Sequence, residues 1–210
     1  MSEAARRLEG FNWADYRSWP DDERWEIVGG RAYAMSPSPG ANHQAVQLAL
    51  GLQLGAFLKG RRCRLFTAPF DVKLSDQDVV QPDLLVVCDR NQIKSSHMEG
   101  APTLVVEILS NSTALLDRTA KMELYARAGV KEVWLATPWP SLVEVYRLDG
   151  KTYRLVKAYK KDDVLRSPRF PKLRVNLAEV FDLPVPPEKG QEQLVVREPP
   201  PAYASRRSRH

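Results

Sequence analysis

Apolar and polar positions along the chain follow two periods, and the changes between them mark off its elements. Residues 24–35 (RWEIVGGRAYAM) look like two short strands turning at Gly29-Gly30, which predicts a hairpin. Glu26 falls on the first strand. After the breaker Ser36-Pro37-Ser38-Pro39-Gly40, the apolar positions Val46, Leu48, Ala49, Leu52, Ala56 and Phe57 recur at helical spacing, with Asn42 placed to cap the helix and Gly60 to stop it. Strand patterns over 63–66 and 70–74 break near Pro69, and the polar turn 75–78 leads into the apolar run 79–88. A polar loop over 89–100 precedes another strand at 103–109. Ser112 or Thr113 opens a second helix over 114–128, which Gly129 closes. Strands at 132–136, 142–148 and 153–159 follow, the last two turning at Asp149-Gly150. Ahead of all this, 8–22 mixes aromatics with acids, as a short helix and then a loop at Pro20-Asp21-Asp22 would. The order hairpin, helix, strands, helix, strands describes an α/β domain.

Composition adds the frame. The 210 residues suit one domain plus a tail: an N-terminal helical segment (1–22), the domain (23–182), and a Pro-rich, basic tail (183–210) expected to be disordered. Hydrophobic content of 43% with 27% charged residues is that of a soluble globular protein. The apolar runs are too short to span a bilayer, so no membrane partner is expected. Residues 1–10 do not read as a secretory signal, which leaves the cytoplasm as the default location. Cys63 and Cys88 show no CxxC spacing and lie in strand-like runs; both read as reduced core thiols. A net charge of +5 favours anionic partners, although the charges are mixed along the chain. The terminal cluster Arg206, Arg207 and Arg209 reads as a solvated tail.

The informative positions are charges where the pattern wants none, because an unpaired buried charge costs several kcal/mol and needs a partner or a metal. In the run 79–87 a period of two puts Gln81, Asp83 and Leu85 on one face, and in 103–110 it puts Glu107 with Val105 and Leu109. Taken singly, each acid has a plainer reading: Asp83 follows Pro82 at an exposed edge, and Glu107 pairs with an arginine such as Arg118. Lys121 shares the inward stripe of the second helix with Leu124, Tyr125 and Ala128. Its plainer reading is a surface pair with Asp117, worth about 0.3–0.5 kcal/mol. Two acids and a lysine converging from two strands and the next helix suit a definite chemistry. Hard oxygen ligands hold Mg²⁺, the metal acidifies a bound water, and the ammonium positions that water or neutralises charge during phosphodiester hydrolysis.

The blocks WEIVGGRAYAMSPSP, Asn42-His43 at the helix start, VVQPDLLVV, TLVVEILSNST, DRTAKMELYARAGVKEVWLA and FPKLRVNLAEVF together resemble the Uma-type family of restriction endonucleases, a branch of the PD-(D/E)XK nuclease superfamily, over residues 13–181. The resemblance implies a restriction-endonuclease-like core, a central mixed β-sheet flanked by helices. It puts the superfamily's Pro-Asp at Pro82-Asp83, its acidic strand residue at Glu107, and the N-terminal glutamate completing the cluster at Glu26. Leu109 stands where the usual lysine would be, and the family pattern moves that lysine to Lys121. The implied catalytic set is Glu26, Asp83, Glu107 and Lys121, with Glu26, Asp83 and Glu107 as ligands of Mg²⁺ or, in its place, Mn²⁺. Gln81 is a candidate for orienting a water or ligand. His43 is a second supporting candidate, beside its reading as a capping or packing residue. No zinc motif is present. The resemblance supplies DNA as substrate. A double-strand cut needs two centres, which suggests a homodimer, with Trp134, Trp139 and Tyr146 either a subunit surface or core. The competing readings are a non-catalytic nucleic-acid-binding or regulatory module on the same fold, and a hydrolase of another phosphate ester.

Overall fold

A computed structural model describes residues 9–20, 23–35, 39–110 and 113–186. Asp21-Asp22, most of the Pro-rich breaker (36–38), Ser112 and the tail from 187 lie outside the described residues. The protein is mixed α/β, with mixed sheets flanked by helices. Two sheets share the strands that the sequence predicts as one set.

The first sheet has the order β2-β1-β5-β4-β7. It begins with the expected hairpin, β1 (Trp25–Val28) and β2 (Arg31–Ala34), whose turn residues Gly29 and Gly30 take φ of +58° and +76°. Positive φ at both positions matches the twist of a two-residue hairpin and favours glycine. Next to β1 lie β5 (Asp78–Val80), then β4 (Asp71–Ser75), and finally β7 (His97–Glu99), which pairs parallel with β4. β7 and a one-turn helix at Arg90–Gln92 occupy the stretch expected to be a polar loop. The pattern hides β7 because Met98, fully buried, is its one apolar residue.

The second sheet contains β3 (Arg64–Thr67), β6 (Leu84–Val87), β8 (Leu104–Ile108), β9 (Glu132–Thr137), β10 (Leu142–Asp149) and β11 (Thr152–Lys160), in the order β11-β10-β9-β8-β6-β3. Only the β8–β9 pair in it is parallel. A crossover helix therefore joins those two, since parallel neighbours cannot be linked by a tight turn. The apolar run 79–88 is not one strand but two, β5 and β6, in different sheets. Gln81-Pro82-Asp83 is the crossing, where proline has no N–H to give a ladder.

The first long helix is α2 (Ala41–Leu58), after the short α1 (Trp13–Tyr16). Gly40, not Asn42, takes the N-cap position; the Asn42 amide instead donates to the Val185 carbonyl at 2.8 Å and accepts from its N–H at 3.1 Å. Val46, Leu50, Leu54 and Leu58 face inward, while Leu48 and Leu52, expected on the apolar face, are each 65% exposed. The crossover comprises α3 (Ala114–Leu116), a wider π-helical turn at Asp117–Lys121, and α4 (Met122–Ala128), ended by Gly129 at φ +87°. Two small strands, β12 (Val164–Leu165) and β13 (Val175–Asn176), and α5 (Leu177–Val180) complete the fold.

The pleat of the second sheet feeds two cores. Leu84, Val86, Leu104, Val106 and Trp134 point to α2 and α5, whereas Leu85, Val87 and Val105 meet Val72 and Val80 of the first sheet and Leu124 and Tyr125 of α4. Trp134 is fully buried and donates from Nε1 to Glu132 Oε1 at 2.7 Å, so it belongs to the core rather than to a subunit surface. Cys63 and Cys88 form a disulfide, which overturns their reading as reduced thiols. The β3–β6 register pairs Arg64 with Val87, so the next residues outward are Cys63 and Cys88, 4.0 Å apart at Cα. Their separation of 25 residues in sequence conceals this adjacency. No helix among the described residues is long and apolar enough to cross a membrane.

Candidate active site

Four carboxylates, Glu26, Asp83, Glu107 and Asp117, line one cavity of about 460 Å³ together with Arg24, His43, Gln81 and Lys121. Each comes from a different part of the fold. Glu26 lies on β1, Asp83 ends the crossing between sheets, Glu107 lies near the end of β8, and Asp117 and Lys121 flank the π-helical turn.

Lys121 holds the centre. Its Nζ lies 2.7 Å from Glu107 Oε1, 3.1 Å from Glu26 Oε1 and 3.2 Å from Asp117 Oδ1. All four side chains are almost wholly buried. The expected surface pair with Asp117 thus exists, but as one arm of a buried cluster. Burial pulls the Lys121 pKa down, and the carboxylates of Glu107, Glu26 and Asp117 outweigh it, holding the group well above its ordinary value as an ammonium. Burial pushes the Glu107 carboxyl well up; Lys121 opposes this, and the neighbouring acids Asp117, Asp83 and Glu26 add to it. Asp117 is also raised, first by burial.

Two residues that the sequence reading left outside the site complete its frame. The Tyr125 hydroxyl donates a short hydrogen bond to Glu107 Oε1, and burial beside that carboxylate raises the phenol well above its usual range. From the sequence alone Asp117 reads only as a surface partner of Lys121. The signal was available: Asp117, Lys121 and Tyr125 are spaced four apart, on one side of a helix. Arg118, offered as a partner for Glu107, pairs instead with Glu144.

Asp83 is not at an edge, because β6 lies between β8 and β3. Its Oδ2 accepts from the Ile108 N–H at 2.7 Å and lies 3.3 Å from His43 Nε2. Its carbonyl accepts from Gln47 Nε2 at 2.9 Å and from the Ala68 N–H at 3.0 Å. His43 therefore sits in the first turn of α2 against Asp83, with its Nδ1 buried and unpaired. Gln81 contributes its backbone N–H to Glu26 Oε1 at 2.9 Å. Its side chain accepts from Arg24 Nη2 at 2.7 Å and donates to Asp71 Oδ1 at 2.9 Å, tying the hairpin to β4.

Four acids against Arg24 and Lys121 give the cavity a set of hard oxygen donors, which fits a divalent cation. Among the described residues no three His, Cys, Asp or Glu side chains converge as a ready metal cage.

The fold and cavity define a mixed-sheet α/β protein with a buried acid–lysine centre. The chain belongs to the family described as "Uma2: Putative restriction endonuclease", which residues 13–178 match. It is similar to "Uncharacterized protein slr1290" of Synechocystis sp., 28% identical over 155 residues that span 72% of this chain and 81% of that one. It also resembles the crystal structure of "a putative nuclease belonging to DUF820" from Anabaena variabilis, with a TM-score of 0.68 at 20% identity, covering 81% of this chain and 97% of the other. At that identity the likeness is one of fold.

Proposed function

We propose that this protein is a divalent-metal-dependent DNA endonuclease whose centre is the cavity around Lys121. The observation that carries the reading is the gathering of three carboxylates about one buried ammonium, with Asp83 lining the same cavity. The family's description as restriction endonucleases supplies DNA as the substrate class. Asp83 and Glu107, with Glu26 completing the cluster, are the residues to hold Mg²⁺ or Mn²⁺. A metal held there would supply an acidified water as nucleophile and a counter-charge for the phosphate. Lys121, kept protonated by its neighbours, adds positive charge where negative charge builds in the transition state. His43 and the Ile108 N–H fix the Asp83 carboxylate, and the Gln81 N–H does the same for Glu26. A cytoplasmic location, expected from the sequence, stands beside a disulfide that most cytosols would keep reduced, and the chemistry does not depend on it.

A second reading, nucleic-acid binding without turnover, draws on the closed ion cluster that occupies Lys121 on three sides. The test is incubation of supercoiled plasmid, linear duplex and single-stranded DNA with the protein and with Glu107→Gln, in Mg²⁺, Mn²⁺ or chelator. Metal-dependent nicking or linearisation, lost in the variant by at least 100-fold, supports the nuclease. DNA retention without cleavage under every condition moves the assignment to the binding module.

A further inference from the structure

We propose that two copies of this chain associate through the outer face of α2, an inference independent of the nuclease reading. Between Ala41 and Leu58 this helix has no charged residue. Its inner face, Val46, Leu50, Leu54 and Leu58, is committed to the core. The exposed residues of the outer face are Ala41, Gln44, Leu48, Leu52 and Ala56, at steps of three and four along the helix, and Leu48 and Leu52 are each 65% exposed. A surface helix normally carries charge on its outer side; one with no charge there and two exposed leucines is suited to being covered. Steps of three and four keep such a stripe aligned with a second helix along its length.

Three features favour a second copy as the cover. The stripe is self-complementary: in an antiparallel pair about a two-fold axis near Leu50, Leu48 of one copy meets Leu52 of the other, and Gln44 meets Ala56. The flanks are complementary in charge. The segment after β13 runs back along α2, from Asn176 beside Gln53 to Val185 beside Asn42, and exposes Glu179 and Asp182 between these two anchors. Lys59 and Arg61 stand exposed at its C-terminal end, so antiparallel pairing brings the basic end of one copy to the acidic flank of the other. The area also suffices. A helix of this length is about 27 Å long and about 10–12 Å wide. With its flank it offers roughly 500 Å² per copy, which reaches the total of about 1,000 Å² for a specific interface. By contrast Leu115, 77% exposed, lies on the three-residue α3.

The test is sedimentation velocity of the full-length chain from about 1 to 50 micromolar, a range suited to an interface of this modest size. The expected mass is twice 23.8 kDa. Leu48→Glu/Leu52→Glu should run at the single-chain mass with unchanged far-UV circular dichroism, and Leu115→Glu should remain a dimer. Should the double variant unfold, Leu48→Asn/Leu52→Asn makes the same comparison. A wild-type protein at single-chain mass throughout, or a dimer that survives the folded double variant, overturns the proposal. So does a chain that dimerises only after removal of 187–210, which would assign the stripe to its own tail.

Discussion

Lys121 Nζ stands 2.7 Å from Glu107 Oε1, and the same oxygen receives the Tyr125 hydroxyl. One carboxylate oxygen on a central strand thus joins two residues of the following helix. The crossover that connects β8 to β9 is clamped to β8 by charge as well as by packing.

Removing the ammonium should expose how much the cluster depends on it. Lys121→Met leaves three buried carboxylates facing one another and should cost about 3–5 kcal/mol near neutral pH. Glu107 and Asp117 already have raised folded pKa values, and the substitution drives them higher. A group raised on folding contributes stability that is complete below its unfolded value, about 4, and is lost as pH rises through its folded value. The variant should therefore be more stable at about pH 5 than at pH 8, with a steeper decline than the wild type. Urea midpoints across that range check this; a flat profile would show that the acids are not in contact.

The Tyr125 hydroxyl makes a different prediction. Tyr125→Phe keeps the ring in the core and removes only the donor to Glu107. A hydrogen bond to a charged group is worth about 1.5–3 kcal/mol, and an orienting partner of a metal ligand about 10–100-fold in metal affinity. Urea unfolding and calorimetric titration with Mn²⁺ should show both losses together. A stability loss with unchanged metal affinity would confine Tyr125 to packing.

The disulfide predicts that the unreduced protein contains no free thiol. Its loop of 25 residues corresponds to about 3–4 kcal/mol of loop-closure entropy in the unfolded chain. Cys63→Ser, or reduction with dithiothreitol, should lower the unfolding free energy by that amount while leaving the cavity intact, since the pair lies outside it. A thiol titration giving two reactive groups in the native protein would refute the bond.

Much of this was legible in the sequence. Periodicity located the hairpin, α2 and the late strands to within a few residues, because each has a strong apolar signal and a glycine at its end. Glu107 and Lys121 stood out as charges in apolar fields, and the structure brings them together. What stayed hidden depends on contacts between distant segments. The run 79–88 reads as one strand because burial on both faces erases the alternation that would mark its break. β7 has a single buried apolar residue and depends on its neighbour β4 for its conformation. The disulfide follows from register, which local pattern does not encode. Tyr125 looked like core and is core; its role at the site rests on one oxygen atom.

The crossing at Gln81-Pro82-Asp83 makes the chain unequal in its tolerance of length changes. Three residues carry the backbone from one sheet to the other, and in that span one N–H anchors Glu26 while one carboxylate anchors Ile108. An inserted or deleted residue there would shift one anchor relative to the other and turn either β5 or β6 inside out. The turn at Asp149-Gly150, which joins two strands of a single sheet, has no second sheet to satisfy. Natural insertions and engineered fusions should accumulate at that turn and be absent from the crossing, so the length of the link, as much as the identity of its residues, is under constraint.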